Sequence, residues 1–104
     1  MAKFRPRKVS LKPYILKVHY DLTEPTDIGE YKSATLSLHF KRGTSNQQLK
    51  TSIVHEIIHH GLEPLEFLKH KEEELICRTM ERLMLSFIKE NKKLIAWIQE
   101  EDLE

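Results

Sequence analysis

The sequence holds a single cysteine, Cys77, so no disulfide can form within the chain. That excludes the disulfide framework of a small secreted domain and suits a reducing, cytoplasmic setting. No apolar run approaches the ~20 residues needed to cross a bilayer, so no membrane partner is expected. The opening stretch from Met1 to Lys8 has charges but no apolar segment after them, which is unlike a secretory signal. Net charge is also lacking: 17 basic against 16 acidic residues leave +1, too little for a global field that recruits nucleic acid or membrane. Three glycines and four prolines leave no low-complexity linker, and no internal repeat is visible. At 104 residues the expectation is one domain spanning 1–104, with a small core and a flexible basic arm at 1–8.

What charge there is falls unevenly. Lys3, Arg5, Arg7, Lys8, Lys12 and Lys17 occur in residues 3–17 without an acid between them, and Glu100, Glu101, Asp102 and Glu104 crowd the last five positions. The simplest reading of both ends is solvated tails. Ser10 to Tyr20 reads as a strand with Tyr14, Leu16, Val18 and Tyr20 on one face. A turn-rich loop over Asp21 to Gly29 follows. Lys32 to Lys41 then reads as a second strand, with Ala34, Leu36, Leu38 and Phe40 inward and Thr35, Ser37, His39 and Lys41 on a free face. A further short strand around Gly29 to Tyr31 is possible within this pattern.

Ser45 followed by Gln48 has the form of a capping box and predicts a helix from about Asn46 to His60, stopped at Gly61. A long helix is expected from about Glu66 or Lys71 to Glu90. Its core stripe would be Ile76, Met80, Leu83 and Phe87, with Cys77, Met84 and Ile88 beside it. Asn91 breaks it, and Leu94, Ile95, Trp97 and Ile98 form a last amphipathic segment. The layout is α+β: a small antiparallel or mixed sheet of two to three strands packed on helices.

Inside the first helix lies His55-Glu56-Ile57-Ile58-His59. Residues four apart share a helix face, so two imidazoles there can reach one metal at ~2.0–2.1 Å. A metal held there lowers the pKa of water towards ~7, and Glu56, one step round the helix, can take that proton as general base. Six histidines and thirteen glutamates in the chain would produce this pattern by chance roughly 0.04 times. Ile53, Val54, Ile57 and Ile58 cover an arc of ~140° opposite the two histidines, which presents both imidazoles away from the apolar side. Two surface histidines on a helix remain the plain alternative.

A catalytic metal needs a third protein ligand. A histidine six residues past His59 is ruled out, because Gly61 comes one place too early and position 65 is leucine. The remaining source is a carboxylate on the next helix: Glu74, with Glu73 close behind, and Glu72 beside them. All three could instead be a solvated acidic first turn complementing the helix dipole. His60 and His70 are lesser candidates for a further ligand, and Cys77 reads as a small buried hydrophobe. Tyr14, Tyr20 and Tyr31 read as packing residues.

The run from Gly29-Glu30-Tyr31 through a strand to Leu49 and His55-Glu56-Ile57-Ile58-His59-His60, followed by Glu73-Glu74-Leu75-Ile76-Cys77, resembles the small zincin-like metallopeptidases of bacteria and phages. In layout it is similar to the ImmA/IrrE metallopeptidases and more distantly to SprT-like proteins. The resemblance covers residues 28 to 91. It implies a minimal zincin fold and zinc-dependent peptide hydrolysis, with His55, His59 and Glu74 as ligands and Glu56 as base. It also implies a peptide or protein substrate paired along the strand at 34–40. Two other functions are compatible with the residues. One is a non-catalytic zinc-binding module in which the metal staples two helices and His60 or His70 closes the fourth position. The other is a nucleic-acid accessory role for the basic arm from Lys3 to Lys17, which no aromatic-basic motif supports.

Overall fold

The computed structural model describes residues 4–23 and 28–100. The fold is α+β. Strands β1 (Lys8–Leu11) and β2 (Tyr14–Leu22) come first, then β3 (Gly29–Lys32), a 3-10 turn at Ser33–Thr35 and β4 (Ser37–Lys41). Helices α1 (Asn46–Leu62), α2 (His70–Glu90) and α3 (Lys92–Gln99) follow. The sheet is mixed, in the order β1-β2-β4-β3. β1 and β2 form a hairpin with Leu11 opposite Tyr14, β2 and β4 run parallel, and β3 returns antiparallel to β4 with Lys32 opposite Ser37.

Four strands among the described residues replace the two or three expected. The run from Ser10 to Tyr20 is broken by a tight turn at Lys12-Pro13, whose peptide bond is cis. The run from Lys32 to Lys41 is likewise two strands joined by the 3-10 turn, with Leu36 in the left-handed region at φ 48° leading into β4. The expected inward alternation holds inside β2 and β4 but fails at their starts: Ala34, in the 3-10 turn, and Tyr14, at the hairpin, are exposed. Leu16, Val18, Leu38 and Phe40 all face α1 and join Leu49 in the core, with Ile53 and Ile57 packed against them.

The other face of β4 is not free as expected. Ser37 and His39 are buried there because β4 is an interior strand. His39 Nδ1–H donates to Asp21 Oδ1 at 2.8 Å, which leaves Nε2 to accept from Ser37 Oγ at 2.7 Å. His19 stacks on the same ring at 4.9 Å. Ser37 is 2% exposed, so this serine–histidine–aspartate chain satisfies polar groups under the sheet rather than offering a nucleophile. Of the expected basic arm, residues 1–3 lie outside the described residues. Arg5 donates to the Thr44 carbonyl, Tyr20 donates to the Pro6 carbonyl and Val18 N–H to the Arg7 carbonyl, so residues 5–7 are bonded to the body. Part of the loop from Asp21 to Gly29, including Pro25, also lies outside the described residues.

Ser45 caps α1 through the Gln48 N–H at 3.2 Å, as its spacing predicts. Gly61 does not end that helix. It sits in helical conformation one residue before Leu62; Glu63 still has helical φ and ψ and its N–H reaches the His60 carbonyl at 3.3 Å, and Pro64, which has no N–H to donate, cannot carry the helix further. α2 opens with Glu72 Oε1 accepting the Lys69 N–H at 3.1 Å, and it stops at Asn91, as expected. The layers run sheet, α1, α2. α1 is therefore covered on two sides, and α2 packs mainly on α1.

Candidate metal centre

Going round α1, Leu49, Ile53 and Ile57 meet the sheet, while His55 and His59 point at α2. Glu56 falls between these directions and is 7% exposed. α2 runs back past the histidines and presents Glu73, Glu74, Cys77 and Glu81 along one face.

Each histidine has its Nδ1 committed. His55 Nδ1–H donates to Glu81 Oε1 at 3.0 Å, and His59 Nδ1–H donates to Glu73 Oε2 at 2.6 Å. A carboxylate can only accept, so these bonds fix the tautomer and leave both Nε2 atoms with lone pairs. The two Nε2 atoms converge to 3.2 Å. Glu74 completes a triangle: its Oε1 lies 2.7 Å from His59 Nε2 and its Oε2 3.4 Å from His55 Nε2. Two lone pairs and a carboxylate facing one another repel unless protons or a cation lie between them. Tetrahedral ligands at ~2.0–2.1 Å from zinc stand roughly 3.3 Å apart; the 3.2 Å and 3.4 Å separations match that spacing and the 2.7 Å one is shorter, so this nitrogen and carboxylate set could hold a zinc ion with a small shift of Glu74.

The structure thus brings together His55, His59, Glu74 and Glu56. It separates the two rival glutamates by role, since Glu74 faces both Nε2 atoms and Glu73 holds the back of His59. Glu81 was not anticipated. Its signal is the spacing Glu74, Cys77, Glu81, which keeps all three on the α2 face that meets α1. Glu74 belongs to that face, in line with Cys77, and not to the stripe of Ile76, Met80, Leu83 and Phe87. Cys77 is fully buried, and its Sγ lies within 4.8 Å of the histidine nitrogens, closer to the centre than a packing residue needs to be. His60 points elsewhere. Tyr31 O–H donates to Glu63 at 2.6 Å and its oxygen accepts from His60 Nδ1–H at 2.9 Å, with Tyr14 edge-on to the same imidazole. His70 lines the cleft at the start of α2.

Burial raises the Glu56 carboxyl above the usual range, against the pull of His55 and His59 and a hydrogen bond from the Tyr31 backbone. Burial also works to raise Glu74, but the two imidazoles outweigh it and hold that carboxyl low. The Cys77 thiol is pushed up to about 12 by burial and by the surrounding carboxylates, Glu74 first. The Tyr31 phenol is raised by burial and by its bond to Glu63.

These groups floor a cleft of about 880 Å³ between β3, α1 and α2. Seven glutamates and one arginine, Arg78, line it. A second cleft of about 650 Å³ meets it at Ile28, Ser52, His55 and Glu81 and is otherwise lined by uncharged polar groups including Gln48 and Thr51. β4, where substrate pairing was expected, has both edges taken by β2 and β3. The edge that borders the cleft is β3. Gly29 brings it close: a Cβ there would meet Ser52 Oγ at 2.5 Å and the Phe40 ring at 2.9 Å. No family model, curated protein or solved structure matches this chain.

Proposed function

We propose that this chain is a zinc-dependent peptide hydrolase in which His55, His59 and Glu74 hold the metal and Glu56 is the general base. The observation that carries the reading is the convergence of two tautomer-fixed Nε2 atoms and the Glu74 carboxylate, 2.7 to 3.4 Å from one another. When bound, zinc would polarise a carbonyl and lower the pKa of water. The chain's own residues supply the rest. Glu56 is held against β3, one residue from a ligand, where it can accept the proton of the attacking water and return it to the leaving amine. The outer edge of β3, where Glu56 takes the Tyr31 N–H, offers its remaining backbone groups to an extended chain lying over the centre. Seven lining glutamates outweigh a divalent ion and Arg78, so the cleft attracts peptides with basic side chains.

A second reading has one observation in its favour. Cys77 lies close enough to both histidines to serve as a fourth ligand, which would close the site and make the zinc a structural staple between α1 and α2.

Elemental analysis of protein purified without added metal tests the first step. About one zinc per chain is expected, lost in His59→Ala, while Glu56→Gln keeps the metal and loses cleavage of basic peptides. No metal, and none taken up on titration, would overturn the site. Full cleavage by Glu56→Gln would overturn the base. Cobalt substitution then separates the two readings. A thiolate-to-cobalt band in the near ultraviolet, absent from Cys77→Ser, marks a closed site. A cobalt spectrum identical in wild type and Cys77→Ser marks an open one.

A further inference from the structure

The stripe expected to be the core of α2 is not buried by this chain. Met80 is 38% exposed, Leu83 61% and Phe87 39%. α2 turns Cys77 and Glu81 to α1 instead, and the stripe looks away from it. α3 leaves Trp97 67% and Ile98 57% exposed at the same end of the molecule. The radius of gyration is 14.9 Å, against ~13 Å for a compact chain of this length. This end therefore projects from the body with its apolar side chains uncovered.

We propose that this face is where a second copy of the chain docks, with the two α2 helices packed antiparallel about a two-fold axis. The spacing of the stripe carries the choice of partner. Ile76, Met80, Leu83 and Phe87 follow steps of four, three and four, the seam of a coiled coil. That series reads the same from either end. A two-fold axis through its midpoint sets Ile76 against Phe87 of the second copy and Met80 against Leu83, so each large side chain meets another. Thr79 and Ser86 flank the seam with small side chains that let two helices approach.

Charge agrees with the antiparallel sense. The first turn of α2 is acidic, with Glu72 and Glu73, and its last turn carries Lys89, with Lys92 and Lys93 just beyond. Pairing head to tail sets acid against base at both ends. The exposed parts of the stripe and of α3 amount to on the order of 600 Å² of apolar surface per chain, near the ~800 Å² per partner of a standard interface once its polar rim is added. The metal face of α2 points towards α1, so pairing leaves the cleft open.

Sedimentation of the full zinc-loaded chain, from low micromolar to several hundred micromolar, tests this. The expected result is a reversible shift to twice the single-chain mass of 12.4 kDa. Leu83→Glu should weaken association at least about a hundredfold, because the charge enters a symmetric interface twice. Leu83 is largely exposed in one chain, so zinc content and helical signal should be unchanged in that variant. Met80→Glu is the second test of the same seam. A single-chain mass at every concentration would overturn the proposal, as would a dimer that survives both substitutions.

Discussion

An imidazole has two nitrogens, and what one of them does decides what the other can do. His55 and His59 each give their Nδ1 proton to a glutamate, which makes Nε2 a lone pair and aims it at its twin. Glu81 and Glu73 are therefore positioning residues, and removing their charge should be felt at the metal without removing a ligand. Glu81→Gln keeps the size of the side chain and can still accept through its amide oxygen, but it no longer strengthens the basicity of His55. Zinc affinity, measured by competition with a chromophoric chelator, should fall about 10- to 100-fold, with stoichiometry unchanged. Glu72→Gln is the matching control, because Glu72 accepts the Lys69 N–H at the helix start and touches neither histidine. An affinity untouched by Glu81→Gln would mean that His55 is not held by this bond when metal is present.

At the scale of the element, what could be read from the sequence was what local forces decide. Ser45 and Gln48 fix the start of α1 by a bond within four residues, and His55 and His59 share a face by helix geometry alone. Strand parity was also legible, since Leu16, Val18, Leu38 and Phe40 turn inward wherever the turns fall. Sheet order was not. The parallel pairing of β2 with β4 depends on hydrogen bonds between strands distant in sequence, and it is what buries Ser37 and His39 and moves the free edge to β3. The turn at Ser33–Thr35 was hidden by an unbroken alternation of apolar residues. The end of α1 was misread because a glycine tolerates a helix as well as a cap, while Pro64 gave the stronger stop. α2 is the most instructive case. Its apolar stripe suggested which face would be covered, but α1 is met by the face bearing Glu73, Glu74, Cys77 and Glu81. Periodicity identifies a helix and its apolar side. It cannot tell whether the partner for that side is in the same chain.

At the scale of the molecule, the layer order makes the metal centre a joint. The apolar core lies between the sheet and α1, and Cys77 is the one fully buried apolar side chain on α2. What α2 mainly offers α1 is carboxylate, and α1 answers with two imidazoles. In the metal-free chain Glu56, Glu73, Glu74 and Glu81 crowd this contact, and protons on the histidines or on a carboxyl must offset them. A divalent cation relieves that repulsion in the folded state alone, so its binding free energy adds to folding. At a hundred times the dissociation constant the gain is ~2.7 kcal/mol. For a chain of this size that corresponds to a rise in Tm on the order of 10–20 °C. Thermal unfolding with saturating zinc and with a chelator should show this difference in wild type and in Glu56→Gln, whose ligands are intact. In His59→Ala the two curves should coincide at the lower temperature. Hydrogen exchange locates the effect: amides of α2 should gain protection with zinc, while β2 and β4, whose packing needs no metal, should change little. A Tm indifferent to zinc in the wild type would mean that α2 is held to α1 by something other than this centre, and the convergence of Nε2 atoms would then be a hydrogen-bond network and not a binding site.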